Sequence, residues 1–309
     1  MTEAHGSTFR TVTLPFIIFT AIGGSTWIVI RGQLGTVPAL WSVTYRFAIA
    51  AAAMAAVTLW KGESLHLGSK GAAAAALIGL TQFCINLDAV YLAERHITSG
   101  VVATVFALLL VPATLLAWVF LGQRPSRSFA WSSIVAASGI VLLFLHELRA
   151  HPAVASEVIL GIVLTLVGML GAAVASVAQA HPQMRRFPLF ALLTWSMAVG
   201  AGIDAMIAFA FTGPPTFDPR PAYWLGVLYL ALFGTVLTFS LYYPVVRKIG
   251  PAKASYSSVI VPIIAMGFST WLEDYRWTGL TIAGALLALG GMLAALRRDR
   301  SAVAAPDAA

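Results

Sequence analysis

The sequence predicts an all-α polytopic membrane protein: ten transmembrane helices in two inverted five-helix repeats, with both termini cytoplasmic. Three observations carry this expectation: the composition, the spacing of the apolar runs, and a stretch that occurs twice. Of 309 residues, 59% are hydrophobic and only 10% charged, against the roughly 25% charge of an ordinary soluble domain. Too few charges remain to cover a water-facing surface, so most of the chain must face lipid or itself.

The hydrocarbon core of a bilayer is about 30 Å thick and takes about 20 apolar residues per helix. Reading between charges and Pro/Gly breaks places spans at 12–30, 38–60, 71–93, 98–121, 128–146, 157–180, 187–211, 222–247, 251–272 and 276–296. The first run is longer than a signal-peptide core and no small-x-small cleavage site precedes Arg31, so it reads as a span. The longest connectors, near 61–70, 147–156 and 212–221, leave no room for a soluble domain. Cys84, the single cysteine, lies within the third run, so no internal disulfide is expected.

The repeat is read from Tyr91-Leu-Ala-Glu-Arg-His-Ile97, which matches Tyr243-Pro-Val-Val-Arg-Lys-Ile249. An apolar run with one central proline follows each, Pro112 and Pro262, and closes on Gln123 in one copy and Glu273 in the other. Gly24 to Trp27 has a weaker echo at Gly171 to Ser176, and Trp41-Ser42 one at Trp195-Ser196. The halves are therefore 1–146 and 157–296, followed by a short cytoplasmic tail, 297–309. Five spans per half force the second copy to enter the membrane in the opposite sense. Charge gives the orientation. With the N-terminus inside, thirteen of the nineteen Lys/Arg lie inside and five outside (Arg31, Arg95, Arg149, Arg220, Arg276), with Arg46 left within a span. The +7 net charge thus reads as topology, and no nucleic-acid partner is expected.

Ionisable side chains at membrane depth cost about 2.5 to 3.5 kcal/mol on insertion scales and are functional candidates. Arg46, Asp88 and Asp204 are the clear cases, expected to act as a gate or an ion pair, with Arg46 and Asp88 the natural partners on spans adjacent in sequence. Pro112 and Pro262 each remove a backbone hydrogen bond near mid-span, which makes them candidate paired hinges. The third span is polar on two sides, so at least one side must line a cavity or meet a neighbour. Candidate substrate contacts are Trp27, Trp41, Gln82, Asn86, Tyr91, Trp195, Tyr242, Tyr256 and Ser257. Aromatic rings among them supply stacking surfaces, and uncharged donors and acceptors suit a zwitterion; a phosphorylated ligand would call for several deep Lys or Arg. Six other tryptophans, Trp60, Trp118, Trp131, Trp224, Trp271 and Trp277, fall at span ends, the ordinary aromatic belt.

Ten spans in two halves, the Tyr-x-x-x-Arg-x-Ile entry, the mid-helix proline and the closing Leu-Gly-Gln or Leu-Glu together resemble the drug/metabolite transporter superfamily. The EamA-type exporters are the nearest branch, and within it the chain looks most like the bacterial aromatic amino-acid exporters. Gln123 stands where an acid is usual, so any role of that acid survives only at Glu273. The resemblance implies a multi-pass protein of the bacterial inner membrane that exports small metabolites, amino acids including aromatic ones, by alternating access through a cavity between the repeats. The alternative is a proton-coupled exporter of lipophilic cations, but the first span has no acid to carry that mechanism. An enzyme is not expected: His5, His66, His96, His146, His151 and His181 sit in loops or at span ends, and neither Asp-x-x-Asp nor His-x-x-x-His occurs. No cofactor or metal is expected; the expected partners are a small-molecule substrate and membrane lipid, with the chain working as a monomer.

Overall fold

In lipid a backbone must satisfy its own hydrogen bonds, so apolar runs of span length fold as helices. The computed structural model describes residues 9–150, 155–255 and 257–303, and is helical with no strand among them. Tyr256, His5 and His151 lie outside the described residues. The helices are α1 (Leu14–Gln33), α2 (Ala39–Trp60), α3 (Gly68–Ala93), α4 (Ser99–Leu121), α5 (Arg127–Ala150), α6 (Ala155–Ala180), α7 (Leu189–Thr212), α8 (Pro221–Ile249), α9 (Ser257–Leu272) and α10 (Gly279–Val303). Eight of these, α1 to α8, contain segments long and apolar enough to cross a bilayer, while Ile260–Leu272 and Gly279–Gly291 form shorter apolar helices. Local chemistry sets several ends. Pro38 and Pro188 immediately precede α2 and α7, Pro221 opens α8, and Gly122 closes α4 in the left-handed conformation at φ 69°.

Two helices change winding in matching places. In α3 the segment Gly79–Ile85 is π-helical, and in α8 the segment Leu232–Leu237 is. The main-chain N–H of Asn86 reaches the carbonyl of Thr81, and that of Thr238 the carbonyl of Phe233, each five residues back. The widened turn pushes the Thr81 carbonyl toward α6, where a Cβ on Gly171 would stand 2.5 Å from it, so only glycine fits there.

Pro112 and Pro262 both lie within helical segments, each with an irregular stretch upstream. Ahead of Pro112, α4 tightens to a 3₁₀ turn over Ala107–Leu109, the stretch whose carbonyls lose the missing proline N–H. Ahead of Pro262, the short helix Pro251–Ala254 ends before α9 begins at Ser257. The two interruptions touch: Ser258 Oγ donates to the Ala107 carbonyl at 3.2 Å.

Packing follows a regular pairing. The most extensive contacts join α5 to α10 and α2 to α7; α3 packs on α6, α8 on α1, α9 on both α1 and α4, and α4 on α6. Small residues let the α5–α10 pair approach closely, since a Cβ on Gly284 would meet the Gly139 carbonyl at 2.8 Å. Aromatic side chains fill the centre: Phe83 of α3 packs against Phe47 of α2 and Phe239 of α8, both with ring centroids 5.1 Å apart. Large apolar side chains such as Phe211 and Trp271 point outward, as a lipid-facing surface requires.

Candidate functional site

Helices α1, α3, α4, α6, α8 and α9 line a partly open central cavity of ≈ 180 Å³, and Arg46 of α2 also reaches it. At a liquid volume of about 30 Å³ per water, that space holds roughly six waters, or a small organic ligand in their place. The π-helical segments supply its polar side. Gln82 and Gly234 lie within them, and Asn86 and Thr238 follow directly. Trp27 and Phe106 meet edge-on at 5.6 Å on the apolar side, and Phe19 packs against Tyr242 at 5.3 Å. Tyr242 is fixed in turn by a 3.0 Å hydrogen bond between its hydroxyl and that of Ser176.

Of the residues expected to contact substrate, Trp27, Gln82, Asn86, Tyr242 and Ser257 line this cavity. Three others lie elsewhere. Tyr91 is fully buried and donates to Gln33 Oε1 at 2.9 Å, tying α3 to α1. Trp41 donates to the Gly213 carbonyl at 3.1 Å and packs in a separate cluster with Ala208 and Tyr223. Trp195 is 46% exposed on the outer side of α7 and donates to the Leu65 carbonyl at 2.8 Å. Depth along a helix does not give the direction in which a side chain points, and α7 has no polar face to set it.

The expected Arg46–Asp88 pair does not form. Arg46 turns to α8, where Nε donates to Thr235 Oγ1 at 3.0 Å and Nη2 to the Gly234 carbonyl at 3.3 Å. Asp88 turns to α7. With Cys84 and Asp204 it makes a buried trio whose sulfur and nearest carboxylate oxygens lie within 4.8 Å of one another. Cys84 Sγ donates to Asp88 Oδ2 at 3.7 Å, while Asp88 Oδ1 and both oxygens of Asp204 have no hydrogen-bond partner among the described residues. The trio brings together across α3 and α7 what no sequence spacing displays.

Polar contacts tie both ends of the bundle. At the end formed by the C-termini of α1, α3 and α9 and the N-terminus of α4, Arg31 pairs with Glu273 at 3.4 Å and donates to the Glu94 carbonyl. Glu273 also accepts from Ser99 Oγ at 2.6 Å. At the opposite end Arg247 donates from Nη2 to Gln179 Oε1 at 2.9 Å and to the Met184 carbonyl at 3.2 Å. Gln123, the counterpart of Glu273, stands at this end, where a Cβ on Gly250 would lie 3.6 Å from its Oε1.

Sequence reasoning missed most of the apolar lining, including Phe19, Phe106 and Val261, because an apolar side chain facing a cavity has the same chemistry as one facing lipid. It also missed Thr26 and Ser176, small hydroxyl residues of the kind common in any helix contact.

A helical membrane bundle with an amphiphilic central cavity and polar contacts at both ends has the architecture of a small-molecule transporter. The chain belongs to the EamA-like transporter family, whose sequence profile matches twice, over residues 12–145 and 159–297. It is 29% identical over 284 residues to the uncharacterized inner membrane transporter YedA of Escherichia coli (strain K12), covering 88% of this chain and 89% of that one. It is 21% identical over 283 residues to the uncharacterized transporter YoaV of Bacillus subtilis (strain 168), covering 91% and 95%. The fold is shared with a solved crystal structure at a TM-score of 0.70 and 18% identity, covering 94% of this chain and 98% of that one. The protein is thus a multi-pass inner-membrane transporter.

Proposed function

We propose that the protein exports small metabolites, amino acids including aromatic ones, by alternating access of the central cavity to the two sides of the membrane. The reading rests on ten spans in two inverted repeats, 1–146 and 157–296, with both termini in the cytoplasm. The helix pairing supports it: exchanging each of α1 to α5 with its counterpart among α6 to α10 turns α3–α6 into α8–α1 and α4–α6 into α9–α1, and leaves α2–α7, α4–α9 and α5–α10 unchanged. The π-helical segments and the proline-linked interruptions obey the same exchange. In this orientation the Arg31–Glu273 contact closes the periplasmic end, and Arg247 with Gln179 ties the cytoplasmic one.

The observation that carries the substrate class is the lining itself. Trp27, Phe106, Phe19 and Tyr242 offer an apolar, aromatic wall, while Gln82, Asn86, Ser257 and Arg46 offer polar groups. That combination suits one charged or zwitterionic head on a large apolar body. No carboxylate lines the cavity among the described residues, which weighs against a lipophilic cation. Pro112 and Pro262 act as hinges, a single chain lines the cavity, and the protein works as a monomer without cofactor.

Purified protein in liposomes loaded with labelled amino acids tests this, with efflux followed with and without a pH gradient. Tyrosine, phenylalanine and tryptophan are expected to leave at least tenfold faster than from protein-free liposomes, and Gln82→Ala to slow them. Absence of amino-acid flux together with efflux of quaternary ammonium ions would overturn the proposal.

A further inference from the structure

Within this reading of the central cavity as the transport site, we infer that Arg46 holds the carboxylate of the transported molecule and that acids are told from their decarboxylated amines there. The residue is only 3% exposed, and two of its donors are occupied by α8, Nε on Thr235 Oγ1 and Nη2 on the Gly234 carbonyl. The third, Nη1, is buried and makes no close hydrogen bond among the described residues, with the Tyr91 hydroxyl the polar group beside the guanidinium. Glu94 is within electrostatic reach of Arg46 but forms no ion pair with it. A guanidinium buried in a membrane span with a donor not closely bonded and no direct counter-ion is costly to hold. An anionic group arriving in the cavity would offset that cost. A planar carboxylate is the group a guanidinium matches best.

The π-helical turn of α8 makes the arrangement possible. Gly234 lets the backbone approach, since a Cβ there would stand 3.4 Å from Arg46 Nη2 and 3.0 Å from the Thr26 methyl. With two donors pinned, the guanidinium cannot swing, so the remaining N–H is pre-oriented and little further order is lost on binding. Asn86 also lines the cavity; its Oδ1 is buried beside Gly168 of α6 and has no partner among the described residues. With the carboxylate at Arg46, the aromatic wall takes the side chain.

The test uses the full-length protein in liposomes and compares efflux of labelled phenylalanine with that of phenethylamine, which lacks only the carboxylate. Wild-type protein is expected to favour phenylalanine at least tenfold, Arg46→Gln to lose that preference, and Arg46→Lys to retain part of it. Competition on the wild type alone provides a second measurement that needs no variant to fold: phenylalaninamide should inhibit phenylalanine efflux at least tenfold more weakly than phenylalanine itself. Equal flux of acid and amine, or equal inhibition by the amide, would overturn the role of Arg46 and leave the transport reading standing. Flux of neither compound would overturn the transport reading itself.

Discussion

Asp204 and Asp88 sit side by side in the protein interior with Cys84 and without a basic partner among the described residues. Carboxylates so placed repel and are poorly solvated, so replacing one by its neutral amide removes a cost instead of a contact. Asp204→Asn should therefore keep or raise the Tm of the detergent-purified protein, and a loss of several degrees would point to a cation bound there. At Trp195 the outward-facing ring makes a second prediction: Trp195→Ala should leave efflux within about twofold of wild type, since loss of an exposed side chain falls within the small range of surface changes. These two cases show where the sequence was readable. Depth and polarity of Arg46, Asp88, Asp204, Gln82 and Asn86 are visible in a string of letters. Which neighbour each turns to is not, because α2 and α7 give no amphipathic stripe to orient them, and α3, polar on two sides, offers more than one direction.

The apolar runs announced the helices, and Pro112 marked the 3₁₀ turn of α4 to within a turn, whereas the break ahead of α9 lies further from Pro262. The π-helical segments left no such trace, because a widened turn is stabilised by what it packs against and not by its own residue types. Gly171 is the packing partner of one of them. Gly171→Leu should force α6 away from the Thr81 carbonyl and lower stability by about 1–3 kcal/mol, the usual range for overpacking, read as a falling Tm. The connector between α7 and α8 carries a separate test, outside the spans, on the buried Asp218. Asp218 pairs with Arg220 at 2.6 Å and accepts from its main-chain N–H at 2.9 Å, and these bonds hold the Asp218 carboxyl below the usual carboxylate range. A lowered value means that the stabilisation is present above the unfolded carboxyl's pKa of about 3.9 and is lost as pH falls through the folded one. Arg220→Gln should therefore lower the Tm at pH 7, and the difference from wild type should vanish in acid below the carboxylate range.

For the molecule as a whole, the proposed alternating access requires the Arg31–Glu273 contact to open. Introducing Arg31→Cys and Glu273→Cys in a Cys84→Ala background, then joining them with a short bifunctional thiol reagent, should abolish efflux, and reductive cleavage of the linker should restore it. Efflux unaffected by the linker would mean that ligand leaves by another route. The two ends of the bundle are chemically unlike, for an ion pair fastens one while the corresponding residue at the other, Gln123, is uncharged and exposed. Under the proposed mechanism the two resting shapes are therefore not isoenergetic. If the charged clasp is worth about 1.4 kcal/mol more than its amide counterpart, the empty carrier would wait facing the cytoplasm ten times for every once it faces out, poised to receive cargo without any ligand to instruct it. Changing Glu273 to Gln would level that preference.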